Sequence, residues 1–183
     1  MDPPRALDAS VVRYAPGLVL PPYRHVPGIT PHPRSDPLGH SYGHQQPAAG
    51  PLTPDNWRSH QAYLYGVDLY NQAFWWEAHE WWEATWRTEA PGAVTGLFLP
   101  GLIQIAAALI KWHQGNRRGT ERLHERGRRR LLEVESRAGP RYLGLEVGPF
   151  LPRLALFLAR HPRADAAAYE DPQHAPVLRL VGR

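Results

Sequence analysis

The sequence predicts an all-α fold, a compact bundle of about five or six helices preceded by a Pro-rich N-terminal arm. Three observations carry this prediction. Apolar residues recur at helical spacing from Trp57 to Leu158, and Gly and Pro punctuate that stretch where helices need to stop. No segment alternates apolar and polar residues, and no hairpin signal is present. A length of 183 residues with 43% hydrophobic composition is enough for one domain with its own core.

The arm, residues 1–53, is set apart by composition. Pro16, Pro21, Pro22, Pro27, Pro31, Pro33, Pro37, Pro47 and Pro51 exclude helix and sheet interiors. Tyr14, Tyr23, Tyr42, the run Leu18-Val19-Leu20 and His25, His32, His40 and His44 are more than a free linker would carry, so Tyr14 to Tyr42 is expected to lie on the body. Residues 1–10 and 45–50 are expected to be mobile.

The helical body is expected over 54–162. Thr53 with Pro54 in the first-turn slot marks the start of a first helix that runs to about Tyr70. A second helix spans about Ala73 to Thr88 and stops at Pro91-Gly92. A third runs from about Val94 to Gln114, irregular near Pro100, and Gly115-Asn116 closes it. The fourth, about Arg117 to Arg137, places Leu123, Leu131 and Leu132 inside, with Gly139-Pro140 as its stop. The fifth covers about Gly148 to Arg160 and ends at His161-Pro162. A tail of low helical content, 163–183, is expected to pack back through Val177, Leu178 and Leu180.

Several classes of function drop out. With no cysteine there are no disulfides, zinc ribbons or thiol chemistry. The first residues are charged rather than apolar, and the longest apolar run, about Leu97 to Ile110, is interrupted and short for a membrane span. A cytoplasmic chain with no membrane partner is the expectation. The net charge of +4 comes from arginine, with Lys111 the only lysine. The arginines of the fourth helix alternate with Glu121 and Glu125 and accompany no nucleic-acid motif, so a solvated face is favoured over nucleic-acid binding.

The second helix carries the candidate chemistry. With His79 at zero, Trp75 falls near −40°, Trp82 near −60°, Trp86 near −20° and Glu83 near +40° on a roughly 3.6-residue turn. This predicts an aromatic core face with His79 and Glu83 in its middle, and Glu77 and Trp81 opposite. Trp81 and Phe74, away from that face, imply a second packing surface against another helix or another copy of the chain. A buried carboxylate needs a partner, and His79 one turn away is the nearest. Gln104, on an otherwise apolar third helix, also needs buried partners.

Three readings follow. His79 and Glu83 at i and i+4 can ligate one divalent metal ion, with an arm histidine or His113 as third ligand, since an N/O donor set suits hard or borderline ions. His79-Glu80-Trp81-Trp82-Glu83 echoes a zinc-protease helix, but Glu80 lies about 100° from His79. Alternatively, Glu83 orients His79 for acid–base chemistry on a small molecule, with Trp75, Trp82, Trp86 and Gln104 as pocket. The third reading is structural: His79, Glu83 and Gln104 form a buried hydrogen-bond network in a non-catalytic module. In the first two, the arm covers the pocket and Tyr23, Arg24, His32 and His40 line it. The four arm histidines, seven, eight and four residues apart, match no compact ligand pattern of their own.

The segment from Tyr70 to Arg87 resembles the signature of the domain-of-unknown-function family 309, His-x-x-x-Glu-x-x-Trp, here His79, Glu83 and Trp86. Leu102-Ile103-Gln104 and the Gly115-Asn116 turn extend the likeness, which covers roughly Trp57 to Leu132. Gly119-Thr120 stands where Gly-Ala is expected, a departure that touches helix packing. The resemblance implies a small bundle with one buried central helix surrounded by others, and no established activity. The stretch from Pro21 through Gly43 looks like an extension carried by some relatives.

Overall fold

The computed structural model describes residues 11–44, 49–161 and 175–182. The expectations of mobility for 1–10 and 45–48, and of low helicity for 163–174, lie outside them. Five helices form the body: α1 (Gln61–Asn71), α2 (Trp75–Trp86), α3 (Thr95–His113), α4 (Arg117–Ala138) and α5 (Val147–Arg160). Apart from the first, each lies within two residues of the bounds read from sequence, so the all-α bundle stands.

The first helix starts later than Thr53. Thr53 and Asn56 cap each other, the Thr53 N–H donating to Asn56 Oδ1 at 2.9 Å and the Asn56 N–H to Thr53 Oγ1 at 3.3 Å. They close only a turn. The chain then extends at His60, whose Nδ1 accepts the Tyr63 N–H and opens α1. Every residue from Ala62 to Asn71 is buried, which makes α1 the central helix. It ends where Ala73 takes a left-handed φ of 59°, so Ala73 separates α1 from α2 instead of opening the second helix.

Helix α2 packs on α1, α3 on α2 and α4 on α3. The α1–α2 contact is close because Gly66 has no side chain: a Cβ there would stand 2.2 Å from Trp82 Nε1. The same device joins α3 to α4, where a Cβ on Gly127 would meet Gly101 O at 2.9 Å. The α3–α4 turn uses Gly115 at φ 69° and Asn116, whose Oδ1 accepts the Gly119 N–H. Leu131 is fully buried, but Leu132 is 38% exposed. Leu132 therefore belongs to the solvent side of α4, one residue round from the seam. Helix α5 lies across α1 and α3 through Phe150 on Tyr70 and Phe157 on Trp112.

A two-stranded ribbon, β1 (Arg141–Tyr142) and β2 (Leu145–Glu146), joins α4 to α5. The sequence showed no hairpin because the strands are two residues each. The only local sign is Leu143-Gly144, both at positive φ, with Gly144 pressed against Trp57. Leu178 exchanges two hydrogen bonds with Asn71, the Leu180 N–H donates to the Tyr14 hydroxyl, and Leu180 bridges Leu145. Arm, tail and ribbon are thus joined to one another and to the central helix. Among the described residues α3 alone is long and apolar enough to cross a membrane, and 61% of its apolar window is buried in the fold as core.

Candidate functional site

Two layers fix the orientation of α2. Its core stripe is Trp75, Ala78, Trp82 and Thr85, all buried. These lie near −40°, −100°, −60° and −120° from His79, so the stripe is centred about 80° away from that histidine. The opposite side carries Trp76, Glu77, Glu80 and Trp81, and it is covered by the arm and by Tyr65 of α1. His79 and Glu83 occupy the seam between. Their side chains are each 27% exposed, so the predicted placement in the middle of a buried face is corrected to a half-open edge. The tryptophans misplace that centre because the small buried residues Ala78 and Thr85 are invisible to an aromatic count. Trp86 is 42% exposed, since α2 ends there and nothing packs beyond it.

His79 and Glu83 do not pair with each other. His79 Nδ1 is buried 3.5 Å from Glu80 Oε1, an ion-pair distance without hydrogen-bond geometry. Glu83 Oε1 accepts Arg87 Nη2 at 2.8 Å. Glu80 Oε2 meets Arg34 Nη1 of the arm at 3.2 Å. The His79 imidazole, followed by the charges of Arg34 and Arg87, holds the Glu80 carboxyl below its usual range against the opposing effect of burial. One donor atom from each of His79, Glu80 and Glu83 lies within 4.8 Å of the others, and among the described residues these form the one His/Asp/Glu group so placed. The third potential ligand is therefore Glu80, not an arm histidine or His113. The wheel angle that separated Glu80 from His79 describes the Cβ direction, and a glutamate side chain is long enough to bend back toward its neighbour.

No hydrogen bond joins Gln104 to His79 or Glu83, and Gln104 Oε1 is buried without a partner. The three-residue network does not form. The arm does lie on α2, though not with the expected set. The carboxylate it grips is Glu77, which is 3% exposed. Glu77 Oε1 accepts the His25 N–H at 2.9 Å and lies 3.0 Å from His40 Nε2. Tyr23 holds the arm to itself, donating to Pro31 O and accepting the His40 N–H, both at 3.2 Å. Arg24 is 3% exposed, packed beside Trp75 and His113. His32 touches the edge of Trp76, with 5.1 Å between ring centroids. Of the arm residues named from sequence, His40 reaches an α2 carboxylate directly.

Glu77, Glu80, Arg34 and Asp68 were missed by the sequence reading. Their one signal was the pair Glu77 and Glu80, three apart and therefore on one side of α2, facing away from the tryptophan stripe. Phe74 and Trp81, expected to present a second packing surface, do so within the chain: Phe74 is fully buried and Trp81 stands edge-on to Tyr65.

A family model described as a domain of unknown function (DUF309) matches residues 63–123. This third of the chain, from α1 into α4, resembles that family and contains His79, Glu80, Glu83 and Gln104. No curated protein matches the chain.

Proposed function

We propose that α2 is a metal-binding helix in which His79, Glu80 and Glu83 hold one divalent cation and present it to a small molecule. The observation that carries this reading is the convergence of one imidazole nitrogen and two carboxylate oxygens within 4.8 Å. The residues suit the ion in three ways. His79 Nδ1 is buried with no hydrogen-bond partner, an arrangement that costs free energy unless something accepts its lone pair. One nitrogen and two oxygens form a donor set for Mn, Fe or Zn. Arg34 and Arg87 engage Glu80 and Glu83, as metal-bound carboxylates are commonly steadied from outside.

A bound ion would supply a Lewis acid that polarises an oxygen or lowers the pKa of a water. The chain's part is to fix the donors on one rigid helix and to leave the outer side open. The three side chains are 18–27% exposed, which gives a small ligand access, with Trp86 one turn further along as an exposed aromatic surface.

The test is metal analysis of the full chain purified without a His tag. About one Mn, Fe or Zn per chain is expected, with affinity falling roughly tenfold or more in Glu80→Gln and in His79→Ala. A chain that takes up none of these ions at saturating concentration, or a Glu80→Gln variant that binds like the parent, overturns the assignment. If in addition Glu83→Gln is as stable and as inert as the parent, α2 has a structural role only.

A further inference from the structure

A cavity of about 250 Å³ lies between the arm and the outer side of α2, apart from the three metal donors except for Glu80, which borders both. Its walls are unusual in combination. Tyr65 and Trp81 meet at right angles, with ring centroids 5.0 Å apart and planes at 88°. Trp76 adds a third aromatic surface, held edge-on by His25 at 5.2 Å and His32 at 5.1 Å. The Tyr65 hydroxyl donates to Val19 O at 2.7 Å, which pins that corner to the arm.

With the His40 ring neutral, the charges in this cavity do not balance among themselves. Arg34 and Glu80 offset each other. Glu77 also lines the cavity, and its two oxygens differ: Oε1 takes both contacts from the arm, while Oε2 is buried with no hydrogen-bond partner. Leaving a carboxylate oxygen dry and unpaired is costly, and the missing partner is a cation or a donor. An anion would meet Glu77 unfavourably. A bare metal ion would use only the polar part of the lining, His40, Ser41, His44, Glu77 and Glu80, and would gain little from the three aromatic walls. An ammonium group with attached carbon matches both features, because its charge is attracted to the carboxylate and to the aromatic faces together.

We infer that this cavity binds a small organic ammonium ion, with Glu77 as its counter-charge and Trp76, Trp81 and Tyr65 as its walls. The arm is then part of the binding site, since it supplies the roof and, through His25 and His40, holds the Glu77 carboxylate in place. The site adjoins the proposed metal seam, with Glu80 common to both, and needs no bound metal for its own contacts.

Choline and its uncharged isostere 3,3-dimethylbutan-1-ol probe the claim directly, titrated into the full chain in EDTA and followed by calorimetry and tryptophan fluorescence. Choline is expected to bind roughly tenfold or more tighter than the isostere, a difference of about 1.4 kcal/mol. Glu77→Gln should erase that preference, and Trp81→Leu should weaken choline by a similar factor. Should Glu77→Gln fail to fold, Trp81→Leu and the isostere still decide. Equal binding of the two compounds, no choline binding in the millimolar range, or parent-like choline affinity in Trp81→Leu overturns the inference.

Discussion

Asp68 sits fully buried on α1 and accepts three hydrogen bonds from the start of the arm: the Tyr14 N–H at 2.6 Å, the Ala15 N–H at 2.8 Å and Arg13 Nε at 2.9 Å. Arg13 in turn donates to Leu18 O at 2.6 Å, so one carboxylate organises a loop of several residues. Removing it strands two backbone donors and a guanidinium. Asp68→Ala is expected to lower the unfolding free energy by about 3 kcal/mol, read from urea denaturation, because uncompensated buried partners dominate such losses. Asp68→Asn keeps an oxygen acceptor and should lose less. A parent-like midpoint for Asp68→Ala would show that the clasp contributes nothing. Glu77 makes the contrast: equally buried, it has one oxygen satisfied by the arm and one left over, and that asymmetry separates a clasp from a candidate binding group.

Helix α2 shows solvent only the seam that carries His79 and Glu83 and its last residue, Trp86, since core covers one face and arm the other. This explains where sequence reading succeeded and where it stopped. Helix ends were legible because they rest on local chemistry: Gly115 at positive φ, Asn116 as a cap, and Gly139 at the end of α4. The rotation of α2 was not, because it depends on which neighbour comes close, and that is decided by Gly66 on another helix. His79 and Glu83 were legible as a pair of interest, while Glu80 was not, since its alignment depends on Arg34, a residue far away in the chain. The Gly66 contact can be tested. Gly66→Ala places a methyl where Trp82 Nε1 stands 2.2 Å away, and Trp82 is fully buried with its N–H donated to Tyr63 O at 3.3 Å. Neither group has room to yield. The substitution should destabilise by about 1–3 kcal/mol despite a better helix propensity, visible as a lower thermal midpoint. An unchanged or raised midpoint would mean that α1 and α2 are not held this closely.

At the scale of the whole molecule the arm is a second layer whose attachment is expected to weaken as pH falls. It buries Tyr14, Tyr23, Arg24, His25 and Val26, and it meets α2 at Trp76, Glu77 and Glu80. His25 is the sensitive point. Its ring faces Trp76 and His32, its Nδ1 shares a hydrogen bond with Thr30 Oγ1 at 3.1 Å, and its backbone N–H is given to Glu77. Burial, reinforced by the charges of His32 and His40, pushes the imidazole from 6.5 down to about 4. In the unfolded chain or with the arm released, the same group returns to its ordinary value near 6.5. Between those two values the open state binds a proton that the closed state refuses, so stability falls as pH drops through that window and levels off once both states are protonated. Urea midpoints measured from pH 7 to 4.5 should therefore decline in the parent and decline less in His25→Gln, which has no proton to take up. Tryptophan quenching by iodide should rise over the same range as Trp76 and Trp81 lose their cover. If the His25→Gln curve runs parallel to the parent through that interval, the acid sensitivity lies in another group and the arm is held by contacts that do not titrate there.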